Sequence, residues 1–134
     1  ENGTVKLFEV SPSKDLSLLD KTDSTNGNPL AGAILLPTGS RIVTFATNGQ
    51  MKVYNISSEG KLSEVLKGDT KCQVTDIDLH PNHRYIIACG NDRCLHIFSV
   101  DTGLETKKYA AHQKKKIGVR YSSIDPSALF VVAS

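Results

Sequence analysis

No apolar run in this sequence approaches the roughly 20 residues that cross a bilayer as a helix, and Glu1 is acidic where a secretion signal would be basic. Membrane insertion and a retained signal are therefore not expected. Cysteine is scarce and odd in number, with only Cys72, Cys89 and Cys94, which argues against a disulfide-stapled secreted scaffold and for a reducing cytoplasmic or nuclear setting. Two three-residue sequons, at Asn2 and Asn55, point weakly the other way and are of a kind that arises often by chance. Charge of one sign is also lacking: 16 basic against 14 acidic residues leave +2, so the whole chain makes no case for nucleic acid or an anionic surface. Basic residues cluster only between Lys107 and Arg120. No window has a helical period, and no segment is linker-like or low in complexity. A hydrophobic content of 39% over 134 residues fits one soluble globular domain.

What the sequence does have is a phrase written three times. Residues 2–10 (NGTVKLFEV), 48–56 (NGQMKVYNI) and 91–100 (NDRCLHIFSV) each place turn residues before an alternating stretch that ends near an aromatic. Phe8, Tyr54 and Phe98 stand 46 and 44 positions apart. Self-similarity at such a period means stacked supersecondary units, with propeller blades the leading candidate.

Strand and turn signals between these phrases complete a series of short strands. Residues 16–19 form a short outer strand and 23–29 a polar loop. Residues 31–36 are a continuous apolar run, the pattern of a strand buried on both faces, and 41–46 (RIVTFA) are β-branched and aromatic. Strands at 51–56 and 61–66 finish that unit, and the series repeats at 74–80, 85–89, 95–100 and 104–111. A further unit opens at 117–122 and 129–133, giving twelve strands in all. The fold class is all-β, a meander of four-stranded antiparallel sheets. The first strand of each unit should be the most buried and the last, most polar one should face solvent.

These residues resemble WD-repeat β-propeller blades. The similarity is strongest over residues 66–100, where Val74, Ile77 and Leu79 followed by His80-Pro81 resemble the inner strand and its turn. Ala88, Cys89, Gly90 and Asp92 resemble the second strand and the aspartate of the next turn, and Ala111-His112 stands where the family often has Gly-His. Phe98-Ser99, Phe8-Glu9 and Tyr54-Asn55 occupy the places of the Trp-Asp pair, and no tryptophan occurs anywhere. Of the family's His, Ser, Asp and Trp hydrogen-bonded set only Asp92 survives in the middle unit, so the resemblance implies divergent blades held together by apolar packing. It also implies a partial propeller: residues 1–23 as the last two strands of one blade, 30–67 and 73–111 as whole blades, and 117–134 as the first two strands of another. Remaining blades would come from the same parent chain or a partner.

The chemistry-bearing residues support few sites. Cys89, Cys94 and His96, with His80 and His83 nearby, match no usual zinc spacing, so no metal and no cofactor is expected. Asp76 and Asp78 lie two apart on one strand face, placed to line a solvated channel mouth or to pair with cations. No specific catalytic constellation and no phosphate-cradling loop can be assembled. The resemblance places His112, Lys114, Lys115, Lys116 and Lys71, together with the turn residues Asp92 and Arg93, on the loops of one propeller face. Family members use that face to bind proteins or peptides, and lysines there favour an acidic or phosphorylated segment, or a nucleic-acid backbone. The expected role is a non-catalytic interaction scaffold within a multiprotein complex. Residues 51–69 also resemble lactonase-type propellers acting on a sugar lactone, and an RNA-associated propeller is the third alternative.

Overall fold

The structure, a computed structural model, describes residues 3–23, 25, 27–110, 118–120 and 131–133. Within them run β1 (Thr4–Val10), β2 (Leu16–Asp23), β3 (Leu30–Leu35), β4 (Arg41–Ala46), β5 (Gln50–Ile56), β6 (Leu62–Asp69), β7 (Val74–Leu79), β8 (Tyr85–Gly90), β9 (Cys94–Ser99), β10 (Glu105–Ala110), β11 (Gly118–Arg120) and β12 (Val131–Ala133), and no helix. They form two four-stranded sheets, β3-β4-β5-β6 and β7-β8-β9-β10, flanked by the pairs β1-β2 and β11-β12. Every pairing is antiparallel and joins strands consecutive in sequence. The first strands, β3, β7 and β11, lie beside one another, while β2 meets β6 at the other side. First strands inside and fourth strands outside is the arrangement of propeller blades around an axis.

The threefold phrase reappears as a repeated irregularity. The ladder between third and fourth strands slips at Leu7/Phe8 in the first sheet, at Val53/Tyr54 in the second and at Glu105/Lys107, opposite Ile97 and Phe98, in the third. All three aromatics therefore sit at a bulge. A second bulge recurs between first and second strands, at Leu30/Gly32 and Val74/Asp76. Bulges add local right-handed twist, which a blade needs to pack face to face on its neighbour.

The core lies between the two complete sheets. Val43, Phe45, Met51 and Val53 from one side meet Val74, Ile77, Ile86, Ala88 and Phe98 from the other, with Leu36 and Val100 at the margin. Fully burying side chains of this size stabilises by about 1.5–3 kcal/mol each, so this layer holds the sheets together. A smaller cluster of Ile87, Cys89 and Leu95 occupies the opposite face of β8 and β9.

Three expectations need correcting. The apolar run at 31–36 is not buried on both faces, and first strands are not the most buried: Leu35 is 55% exposed, whereas β4 and β8 are buried from their second residue to their last. The reason is positional, because β4 and β8 have a strand on either side while β3 and β7 are edge strands of their sheets. The outer strand β6 does not stop at Leu66 but runs on through Gly68 to Asp69, because β5 offers pairing positions as far as Gln50. β10 is exposed along its whole length, as a polar fourth strand should be.

Candidate functional site

Three connections meet at one end of the two complete sheets: the turn after β4 (residues 47–49), the loop after β6 (70–73) and the turn after β8 (91–93). Main-chain hydrogen bonds fasten the middle one to both others. Thr70 N donates to Gly49 O (3.0 Å), Val74 N to Thr47 O (3.0 Å) and Asn91 N to Gln73 O (2.9 Å). The Asn91 side chain completes the clamp by accepting the Gln73 amide at 3.0 Å. Between them opens a depression of about 550 Å³ lined by Thr47, Asn48, Lys71, Cys72, Gln73, Asn91 and Asp92.

Two glycines allow the loops to come this close. A Cβ on Gly49 would lie 2.4 Å from the Cys72 carbonyl oxygen, and one on Gly90 2.4 Å from that of Gln73. Lys71 and Arg93, by contrast, hold left-handed backbone conformations at φ 57° and 65° without being glycine. Such positions cost of order 1 kcal/mol or more and cluster at functional sites. The Lys71 ammonium folds back onto Asp69 at 2.8 Å and holds that carboxyl below its usual range against the opposing effect of burial.

Beneath the depression lies a polar cluster. His96 is fully buried; its Nδ1 faces Glu105 Oε1 at 2.5 Å and its Nε2 faces both Asp92 Oδ2 at 3.0 Å and Cys72 Sγ at 3.5 Å. Lys108, directly opposite His96 in the ladder, brings its ammonium to 3.0 Å from the same Asp92 oxygen. Burial alone would raise the Asp92 carboxyl, but Lys108, the Cys94 amide and His96 together draw it down to about 2. The Cys72 thiol is pushed up by burial, with Asp92 adding in the same direction, while Thr70 Oγ1 accepts its S–H at 3.3 Å. Of the family's hydrogen-bonded set Asp92 alone is present here, and a different polar set stands around it, drawing His96 from β9, Glu105 and Lys108 from β10 and Cys72 from the preceding loop.

Of the residues singled out in the sequence, Lys71 and Asp92 line the depression and Arg93 sits in the adjoining turn. His112, Lys114, Lys115 and Lys116 lie outside the described residues. Cys89, Cys94, His80 and His83 do not assemble with His96. Cys89 Sγ lies 3.6 Å from Thr75 Oγ1, Cys94 Sγ turns to its own turn at Asp92 O (3.5 Å), and His80 Nδ1 accepts the Asn82 amide (3.0 Å). Among the described residues the one group of potential metal-ligating atoms within 4.8 Å of one another is Cys72, Asp92 and His96. Alternation put His96 on the face of Cys94; nothing in local spacing announced Cys72, which arrives from 24 positions away. Asp76 and Asp78 stand opposite Cys89 and Ile87 on β8, both half-buried.

Clamped loops at one end of radially stacked four-stranded sheets define a β-propeller repeat scaffold. The family model "WD domain, G-beta repeat" matches residues 60–99. Autophagy-related protein 18 of Meyerozyma guilliermondii is 24% identical over 125 residues, covering 91% of this chain and 21% of that protein. WD repeat-containing protein 74 of Homo sapiens is 32% identical over 87 residues, covering 63% of this chain and 22% of that protein. The chain thus spans about a fifth of the length of the curated relatives it matches. Among solved structures, the Cps50 (Swd1) β-propeller domain of Myceliophteria thermophila superposes with a TM-score of 0.71 at 9% identity, over 89% of this chain and 38% of that one. A protein of unknown function from Desulfotomaculum acetoxidans gives 0.70 at 13% identity, over 98% and 39%. The chain thus has the fold of β-propeller blades, and its residues 60–99 match the WD-repeat model.

Proposed function

We propose that the loop face carrying Lys71 and Arg93 is a non-catalytic docking surface, through which the chain holds an acidic or phosphorylated segment of another protein within a multiprotein assembly. One observation carries this reading: two cationic side chains are kept at left-handed backbone positions where glycine would relieve the conformation. Both stand on connections whose main chain is clamped, Lys71 at the depression with its ammonium now on Asp69 and Arg93 in the adjoining turn. The similarity to WD-repeat proteins supports a scaffold role. Lys114, Lys115 and Lys116, outside the described residues, are the further cations this proposal includes. Three free cysteines fit a reducing intracellular compartment.

The test separates recognition from folding. Fluorescence anisotropy with an acidic phosphoserine peptide should give saturable binding that weakens on Lys71→Gly, on Arg93→Gly and on neutralising the three lysines. The two glycine variants should keep or gain stability, by up to about 1 kcal/mol each, because they relieve backbone strain. Unchanged affinity in all three would sink the proposal. Affinity for a single-stranded RNA that exceeds peptide affinity and falls steeply with salt would instead favour a nucleic-acid partner.

A further inference from the structure

We propose that Cys72, His96 and Asp92 form a binding site for a divalent transition metal, best matched by zinc, with its remaining coordination position open to the depression. The donor set, one sulfur, one imidazole nitrogen and one carboxylate oxygen, is the mixed soft and borderline set that zinc takes. The spacing is already close to what the ion requires. Zinc bond lengths at tetrahedral angles put sulfur and nitrogen about 3.5 Å apart and nitrogen and oxygen about 3.4 Å apart. Here Cys72 Sγ and His96 Nε2 are separated by 3.5 Å, and His96 Nε2 and Asp92 Oδ2 by 3.0 Å. All three donor atoms lie within 4.8 Å of one another.

The surroundings fit as well. Glu105 stands 2.5 Å from His96 Nδ1, placed to hold a proton on that nitrogen while Nε2 turns its lone pair to an ion that displaces the Asp92 contact; a carboxylate behind the ligating histidine is the usual partner at such sites. His96 is fully buried and cannot swing away. Cys72 and Asp92, the other two donors, line the depression, which gives an entry path and room for water in the open position. Lys108 is the cation now held by Asp92, at 3.0 Å, and its side chain is 49% exposed, so it can leave for solvent when an ion takes its place. The Cys72 thiol proton, and the hydrogen that His96 Nε2 shares with Asp92 Oδ2, are released to solvent as the bonds to the ion form.

The test is titration of the full chain with Co2+ at neutral pH. A single saturable site with thiolate-to-cobalt charge-transfer absorption, displaced by Zn2+, is expected. Cys72→Ser should abolish that absorption, whereas Cys89→Ser and Cys94→Ser should leave it intact. Glu105→Gln should weaken binding about 10–100-fold. Lys108→Ala, which removes the competing ammonium, should tighten it severalfold. Absence of the charge-transfer band, or its persistence in Cys72→Ser, overturns the assignment. Should Cys72→Ser lose its β-sheet circular dichroism, Lys108→Ala decides, since unchanged or weaker cobalt affinity in that variant is incompatible with Asp92 as a ligand.

Discussion

The rings of Phe45 and Phe98 meet edge to face across the two complete sheets, with centroids 5.6 Å apart and planes at 70°. Both are essentially without exposed surface, so each sheet contributes one aromatic to a contact neither could bury alone. Phe98→Ala should destabilise the chain by about 3–5 kcal/mol in urea unfolding, through lost transfer energy and a residual cavity. A double-mutant cycle with Phe45→Leu and Phe98→Leu should return a coupling of about 0.5–1.5 kcal/mol for the aromatic geometry itself.

Tyr54 occupies the position that Phe98 holds in the next unit, but its hydroxyl is buried with no hydrogen-bond partner among the described residues. A buried hydroxyl that loses its water and gains no partner is destabilising. Tyr54→Phe should therefore raise stability by about 1 kcal/mol, read as a higher urea midpoint at unchanged slope. A lower midpoint would mean the hydroxyl is bonded in solution.

Asp20 ties the β1–β2 pair to its neighbour, because Oδ2 accepts the Leu62 amide of β6 at 2.8 Å while Oδ1 accepts that of Lys21 at 2.9 Å. The Leu62 bond, then the Lys21 bond, lower its carboxyl below the ordinary 3.8. A depressed acid contributes stability that is present above its unfolded value and is lost as pH falls through the folded one. Amide exchange in residues 4–23 should therefore accelerate below about pH 4, after correction for intrinsic rates. Asp20→Asn should show the accelerated rates already at neutral pH and no further acid step.

Gly49→Ala should perturb the loop face, since the left-handed conformation (φ 98°) is compounded by a methyl 2.4 Å from both Cys72 O and Thr70 Oγ1. A loss of about 2–3 kcal/mol is expected, with weakened peptide and cobalt binding. Gly39→Ala is the control: its φ is 70°, yet nothing lies within 4 Å of the added carbon. It should cost only the conformational term, about 1–2 kcal/mol, and leave binding unchanged.

The architecture was legible because its signals are local and repeated. Alternation, turn residues and three evenly spaced aromatics need no knowledge of distant contacts, and they located the strands to within a few residues. Burial was less legible. Residues 31–36 are apolar enough for a doubly buried strand, but whether both faces are covered depends on neighbouring sheets, and Leu35 ends up exposed. The polar cluster around His96 was legible only in part. Asp92 announced itself as a turn former, but Cys72 and Glu105 reach the imidazole from opposite sides along the chain, and a periodicity argument carries no information about which loop closes over a buried ring.

Loop 70–73 is held at both ends by amides and carbonyls of neighbouring turns, not by its own exposed side chains. The side chain at position 73 can therefore change without moving the backbone that carries it, whereas position 71, at φ 57°, favours residues that tolerate a left-handed conformation.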